Sequence, residues 1–278
     1  MSSSHESTVR EPFEHKAAVP RTRPPLAVAF GGGGLFGIAY AFGVADALAA
    51  AGVPLREAPS VGTSAGAWVA SAVALGVPFH RLCELPPLRV PNPRPGALRA
   101  IAAEAFGDAR HSRVLVSVTR LPRLSREILS GDRHPLAELV AASSSVPGLF
   151  PPSAVGGRLC LDGGIRSMVS ADRAPGADAL LVVSPLTAPL MGPVGRTLDW
   201  RLGRETARWS DTHGAPVMVI RPTAGIARMV RTPRDLFDLR RAKAVYPLAY
   251  RQARQLLQWG ELGDVYRPLA PTGYRFSA

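Results

Sequence analysis

Two short apolar runs, each stopping in a glycine-bearing turn and restarting as an alanine-rich stretch, constrain the fold of this chain more than any other feature. The first, Leu26 to Phe30, is continuous rather than alternating, the pattern of a strand buried on both faces of a parallel sheet. It runs into Gly31-Gly32-Gly33-Gly34-Leu35-Phe36-Gly37 and then into Ile38 to Ala51, a helical stretch closed by Gly52 as C-cap. The second, Pro59-Ser60-Val61, meets Gly62-Thr63-Ser64-Ala65-Gly66 and continues as the helix-forming run Ala67 to Leu75. Two consecutive strand–turn–helix units build a parallel sheet, in which neighbouring strands bring their terminal loops to one edge.

The second turn has the form G-x-S-x-G. A serine pushed into the open by a strained strand-to-helix turn leaves no room for a Cβ two residues to either side, which Gly62 and Gly66 provide, so Ser64 is a candidate nucleophile. The first turn admits three chemistries. Gly32, Gly34 and Gly37 fit the dinucleotide pattern G-x-G-x-x-G, with Glu57 near the place where an acid for a ribose is needed; but Glu57 sits in a proline-bracketed segment, not at the end of an apolar strand. A Walker loop fails because no Gly-Lys-Ser/Thr follows. The third use is an oxyanion hole, whose amides at a helix N-terminus hold a developing negative oxygen. That use requires a nucleophile close by, and Ser64 ends the next strand.

Further along, Leu85 to Gly96 holds five prolines and reads as a loop, Leu98 to Phe106 as a helix, Val114 to Thr119 as a strand, and Pro135 to Ala142 as a helix with proline in its first turn. Ser143, Ser144 and Ser145 read as loop and cap residues. Gly157 to Leu161 is a strand leading into Asp162-Gly163-Gly164, where a carboxylate is free to project from the sheet edge; a turn-forming aspartate has the same pattern. Leu180 to Ser184 and Pro216 to Ile220 are strands, with an amphipathic helix from Thr197 to Thr212 between them. Thr232-Pro233-Arg234-Asp235 reads as a helix start, and the last helix carries Pro247, expected to kink or divide it. Two arrangements could activate Ser64. One is a triad with His213 as base and Asp162 or Asp178 as the acid; the other is a dyad in which Asp162 takes the proton itself, which requires burial to raise its pKa.

Composition narrows the function classes. The chain has 278 residues, 46% of them hydrophobic, enough for one α/β domain with a sizeable core. The polar stretch 1–24 is expected to be a disordered tail without a signal-peptide core, and 25–278 one domain, with a motif-bearing core over about 26–172 and a C-terminal α/β extension over 173–278. No run of apolar residues is long enough to span a membrane. Cys83 and Cys160 form neither a disulfide framework nor a metal-ligand spacing, which points to a reducing, cytoplasmic setting and to no metal. The net charge of +12 is almost wholly arginine, since Lys16 and Lys243 are the only lysines. That charge either solvates the surface or attracts an anionic partner. Without a basic helix-turn-helix or an aromatic platform, nucleic acid is not expected, and peripheral contact with an anionic membrane is, through the basic segment around Arg240, Arg241, Lys243, Arg251 and Arg254.

Taken together, Gly32-Gly33-Gly34-Leu35-Phe36-Gly37, Gly62-Thr63-Ser64-Ala65-Gly66, Ala142-Ser143-Ser144 with Val146-Pro147-Gly148-Leu149-Phe150-Pro151-Pro152, and Asp162-Gly163-Gly164 resemble the successive signatures of the patatin-like phospholipase family. The resemblance implies a three-layer α/β/α fold with a mostly parallel central sheet. It also implies a serine lipid acyl hydrolase of the phospholipase A or esterase type, with Ser64 as nucleophile, Asp162 as proton acceptor, Gly32, Gly33 and Gly34 as oxyanion hole, and no cofactor. Gly37, Gly62, Gly66, Gly163 and Gly164 are the motif glycines, and a lipid or phospholipid ester is the implied substrate. One position departs: Phe36 stands where the family usually has Arg or Lys. The alternatives are a nucleotide-binding module using the G-x-G-x-x-G loop, and a catalytically impaired member that binds lipid surfaces.

Overall fold

The computed structural model describes residues 23–187 and 192–258; the expected N-terminal tail lies outside them. Five strands form the parallel heart of one sheet: β1 (Ala27–Phe30), β2 (Ser60–Thr63), β3 (Val114–Arg120), β7 (Leu180–Val183) and β8 (Val217–Ile220). The antiparallel strands β4 (Ser125–Ser130), β5 (Ser153–Val155) and β6 (Arg158–Asp162) complete it, in the order β5-β6-β3-β2-β1-β7-β8 with β4 also on β3. β1 lies at the centre between β2 and β7, which is why its side chains are apolar on both faces and fully buried.

Helices cover both faces. On one side α1 (Gly34–Ala50), α2 (Ala65–Leu75), α5 (Leu136–Ser143) and α8 (Leu239–Gln258) pack on Val28, Phe30, Val116 and Val183. On the other, α6 (Gly192–His213) lays Leu202 and Trp209 against Ala27, Ala29, Leu180 and Val182. The smaller helices α3 (Phe79–Cys83), α4 (Ala97–Phe106) and α7 (Ala224–Ala227) lie between these elements in the chain. α8, far along the chain, is the main partner of α1: a Cβ on Gly43 would meet the Tyr246 carbonyl oxygen at 2.4 Å, so only glycine permits the close approach. Tyr246 stacks on Phe79 with ring centroids 4.7 Å apart and donates to Asp46 at 2.6 Å.

Two local expectations change, and one strand is new: β4, whose residues lack clean alternation, pairs antiparallel with β3. The start at Thr232 is only a 3-10 turn, Pro233–Phe237, held by Asp235 accepting from the N–H groups of Arg231 and Thr232, both at 2.8 Å. Pro247 does not divide α8, which continues through it from Leu239 to Gln258.

The arrangement around β3 positions the site. β4 pairs with one edge of β3 from Leu115 to Arg120. The opposite edge is shared: β2 occupies Val114 to Ser117, with Thr63 opposite Ser117, and β6 takes over at Val118, which faces Asp162. Ser64, the residue after β2, and Asp162, the last of β6, therefore meet end to end across one seam in the sheet.

Candidate active site

Ser64 sits between β2 and α2 with φ 54° and ψ −119°, a left-handed conformation that costs a non-glycine residue strain. Local packing imposes it. A Cβ at Gly66 would lie 1.9 Å from the Phe30 carbonyl oxygen and one at Gly62 would lie 2.6 Å from the Ala67 Cα, so α2 starts hard against β1 and β2. The Ser64 N–H donates to the Ser143 hydroxyl at 2.8 Å, and that hydroxyl donates to the Ser117 carbonyl at 2.7 Å. Trp68 Nε1 donates to the Ser144 hydroxyl at 3.1 Å, and the Ser145 hydroxyl donates to Ala141. The three serines thus stand where expected, at the end of α5, and Ser143 has a role that residue types alone did not disclose: it bolts the Ser64 backbone to β3.

Asp162 is buried, 5% exposed, and its Oδ1 accepts from the Gly164 N–H at 2.6 Å. Burial pushes its carboxyl up from 3.8 to about 6, with the Ser64 hydroxyl and the Gly164 N–H pulling in the other direction. Ser64 is thus beside the carboxyl, whose Oδ2 has no hydrogen-bond partner among the described residues.

The glycine loop lies against this pair. A Cβ on Gly32 would be 3.4 Å from the Ser64 Cβ. Gly32 itself differs from the expectation for an oxyanion donor, because its N–H already donates to the Met168 carbonyl at 2.9 Å. Gly33 and Gly34 are placed otherwise. With φ 155° and 59° they turn the chain into α1, both line the cavity with Ser64 and Asp162, and no described residue accepts from their N–H groups. The Ala65 N–H, first in α2, is free in the same sense. Residue types alone did not single out Ala65, although it follows Ser64 and opens a helix, a position where N–H groups and the helix dipole favour an anion.

The cavity holds about 440 Å³. Its walls are almost entirely apolar, with Ile38, Trp68, Leu98, Phe150, Leu236 and Phe237 among them; of the described residues, Asp162 is the one carboxylate that lines it, no Lys, Arg or His does, and Cys83 adds a thiol. Leu236 and Phe237 belong to the 3-10 turn, whose Leu236 carbonyl would lie 2.7 Å from a Cβ on Gly34. The C-terminal third thus supplies a wall that the motifs did not reveal. No group of three or more His, Cys, Asp or Glu residues arranged to hold a metal occurs among the described residues.

The other candidates are elsewhere. His213 ends α6, just before β8 begins, and so lies at the opposite end of the parallel strands from Ser64. Its ring packs on Trp209 with centroids 4.7 Å apart. Asp178 pairs with Arg23 at 3.8 Å and just precedes β7, at that same end. Glu57 is exposed in the turn ahead of β2, again far from the glycine loop in strand terms. Phe36 is fully buried and stacked on Tyr40, so the departure from a cation at this position places a core residue in α1 and no charge at the site.

Residues 28–175 match the patatin-like phospholipase family profile. An uncharacterized NTE family protein of Mycobacterium tuberculosis (strain H37Rv) is 31% identical over 239 residues, covering 80% of this chain and 60% of that one, and an uncharacterized NTE family protein of Mycobacterium bovis matches to the same extent. The chain thus spans about 60% of the length of these relatives. Among solved structures, VipD from Legionella pneumophila aligns with TM-score 0.45 and 15% identity over 86% of this chain and 67% of that one. An α/β sheet carrying a strained serine and a buried aspartate at its edge defines the class, and the chain belongs to the patatin-like phospholipase family.

Proposed function

We propose that the protein is a serine acyl hydrolase acting on lipid esters through a Ser64–Asp162 dyad. The observation that carries the reading is the seam along β3, which brings a strained serine and a buried carboxylate with an unpartnered oxygen into one apolar cavity. In the proposed reaction Ser64 Oγ attacks the ester carbonyl and its proton passes to Asp162 Oδ2. The N–H groups of Gly33 and Gly34, with that of Ala65, hold the oxyanion. Protonated Asp162 then gives the proton to the departing alkoxide, leaving an acyl-serine. Water, deprotonated by Asp162, attacks the acyl-serine, and the proton returns to Ser64 as the carboxylic acid leaves.

The apolar walls favour a long acyl chain as the bound part of the substrate, the ester lying at the polar end beside Ser64. The nucleotide reading has less support, because Glu57 is remote from the loop and the space beside the glycines is apolar. Labelling of the purified protein by a fluorophosphonate tests the enzyme reading. Wild type should label and Ser64→Ala should not; no labelling of either protein leaves the lipid-binding, catalytically impaired reading in its place.

A further inference from the structure

Six residues both line the cavity and are exposed to solvent, and so form its mouth: Pro86, Pro87, Pro147, Ile165, Pro233 and Leu239. All six are apolar. Ile165 and Leu239 are two of the few large hydrophobic side chains exposed anywhere among the described residues, at 37% and 38%. The chain continues from the cavity wall into a cation at four points, since Arg89, Arg166, Arg234 and Arg240 directly follow the lining residues Leu88, Ile165, Pro233 and Leu239. All four arginines are exposed, and none makes an ion pair with a described residue. The nearby carboxylates are already engaged: Glu84 with Arg81 at 2.9 Å, and Asp235 and Asp238 with Arg241 at 3.3 and 3.5 Å.

An apolar mouth whose lining residues are followed in the chain by exposed arginines, without an ion pair among the described residues, is complementary to the headgroup layer of an anionic lipid assembly. Its phosphates can accept from the arginines while Ile165, Leu239 and the prolines enter the acyl boundary. We infer that the mouth of the cavity is the face by which this protein docks on anionic lipid surfaces, so that an acyl chain leaves the lipid layer directly into the cavity. The docking rests on the acyl-hydrolase reading for its purpose but not for its measurement. It places the lipid contact at the mouth, where Arg240 opens the basic segment of α8; Arg241 beside it is engaged by Asp235 and Asp238.

The test is sedimentation of the Ser64→Ala protein with vesicles of phosphatidylcholine, with and without phosphatidylglycerol, so that binding is read without turnover. Binding should require phosphatidylglycerol and weaken as salt rises. R234Q/R240Q should weaken it by about tenfold or more. R201Q/R204Q removes the same charge from α6, on the other face of the sheet, and should change it by less than about twofold. I165S/L239S should also weaken it, and thermal melts matching the parent protein exclude misfolding as the cause. Equal losses from both arginine pairs, no binding to either vesicle, or a preference for a DNA oligonucleotide over the vesicles would each overturn the docking face. Fluorophosphonate labelling of the wild type separates the two readings. Labelling without vesicle binding removes the docking face alone, and vesicle binding without labelling removes the hydrolase alone.

Discussion

At the scale of single residues, the role proposed for Asp162 and its effect on stability have opposite signs. As the proposed base it must be ionised, so kcat/KM should rise with pH through about 6 and level off above it. For stability, the folded protein holds the proton more tightly than the unfolded chain, whose carboxyl titrates near 3.8; the contribution of this group is complete below that value and is lost as pH rises through about 6. Asp162→Asn should therefore abolish turnover while melting no lower than wild type at pH 8, and His213→Ala should leave the rate nearly unchanged. An inactive His213→Ala that still melts like wild type sinks the dyad. Ser143 is the second residue with a measurable role. Ser143→Ala leaves the buried Ser64 N–H without its acceptor and removes one donor from the Ser117 carbonyl, at about 1–3 kcal/mol, and loosens the backbone that holds the proposed nucleophile. A lower melting temperature together with a drop in kcat at unchanged KM is expected; an unaltered kcat would show that β2 and α2 hold the serine unaided.

At the scale of elements, legibility followed the strength of local pattern. The central strands were readable because burial on both faces leaves a continuous apolar run, and the helices beside them because their glycine turns mark the start. Ser64, Gly62 and Gly66 were readable for the same reason, a steric demand expressed within five residues. β4 was not, since its residues are half-buried and mixed, and β5 is three residues long. Nor could the motifs tell that Gly32 gives its N–H to Met168, or that the 3-10 turn walls the cavity, because both depend on partners far along the chain. The packing of α2 yields a direct prediction. Gly66→Ala places a methyl group 1.9 Å from the Phe30 carbonyl, which β1 cannot yield without losing β2 and β7 as neighbours. The variant should be insoluble or melt far below wild type; a normally melting Gly66→Ala would mean that the turn is more pliable than its packing implies.

At the scale of the whole molecule, the residues matching the family profile end near 175, yet they do not close the structure. β1 pairs with β7, β7 with β8, α1 packs on α8, and Glu205 of α6 accepts from the Ala171 N–H at 3.0 Å and from Ser167, steadying the segment that follows Asp162. A fragment of residues 23–175 should fail to fold, losing the cooperative melt and near-ultraviolet dichroism of the full chain; a native-like fragment would show that β7 and β8 are dispensable. The seam along β3 has a kinetic corollary. Ser64 and Asp162 are roughly a hundred residues apart in sequence, and neither touches the other until β3 has recruited β2 from one side in sequence and β6 from the other. In refolding from denaturant, recovery of fluorophosphonate reactivity should therefore lag behind the return of helical signal, making the active serine a clock for the last long-range contact of the sheet.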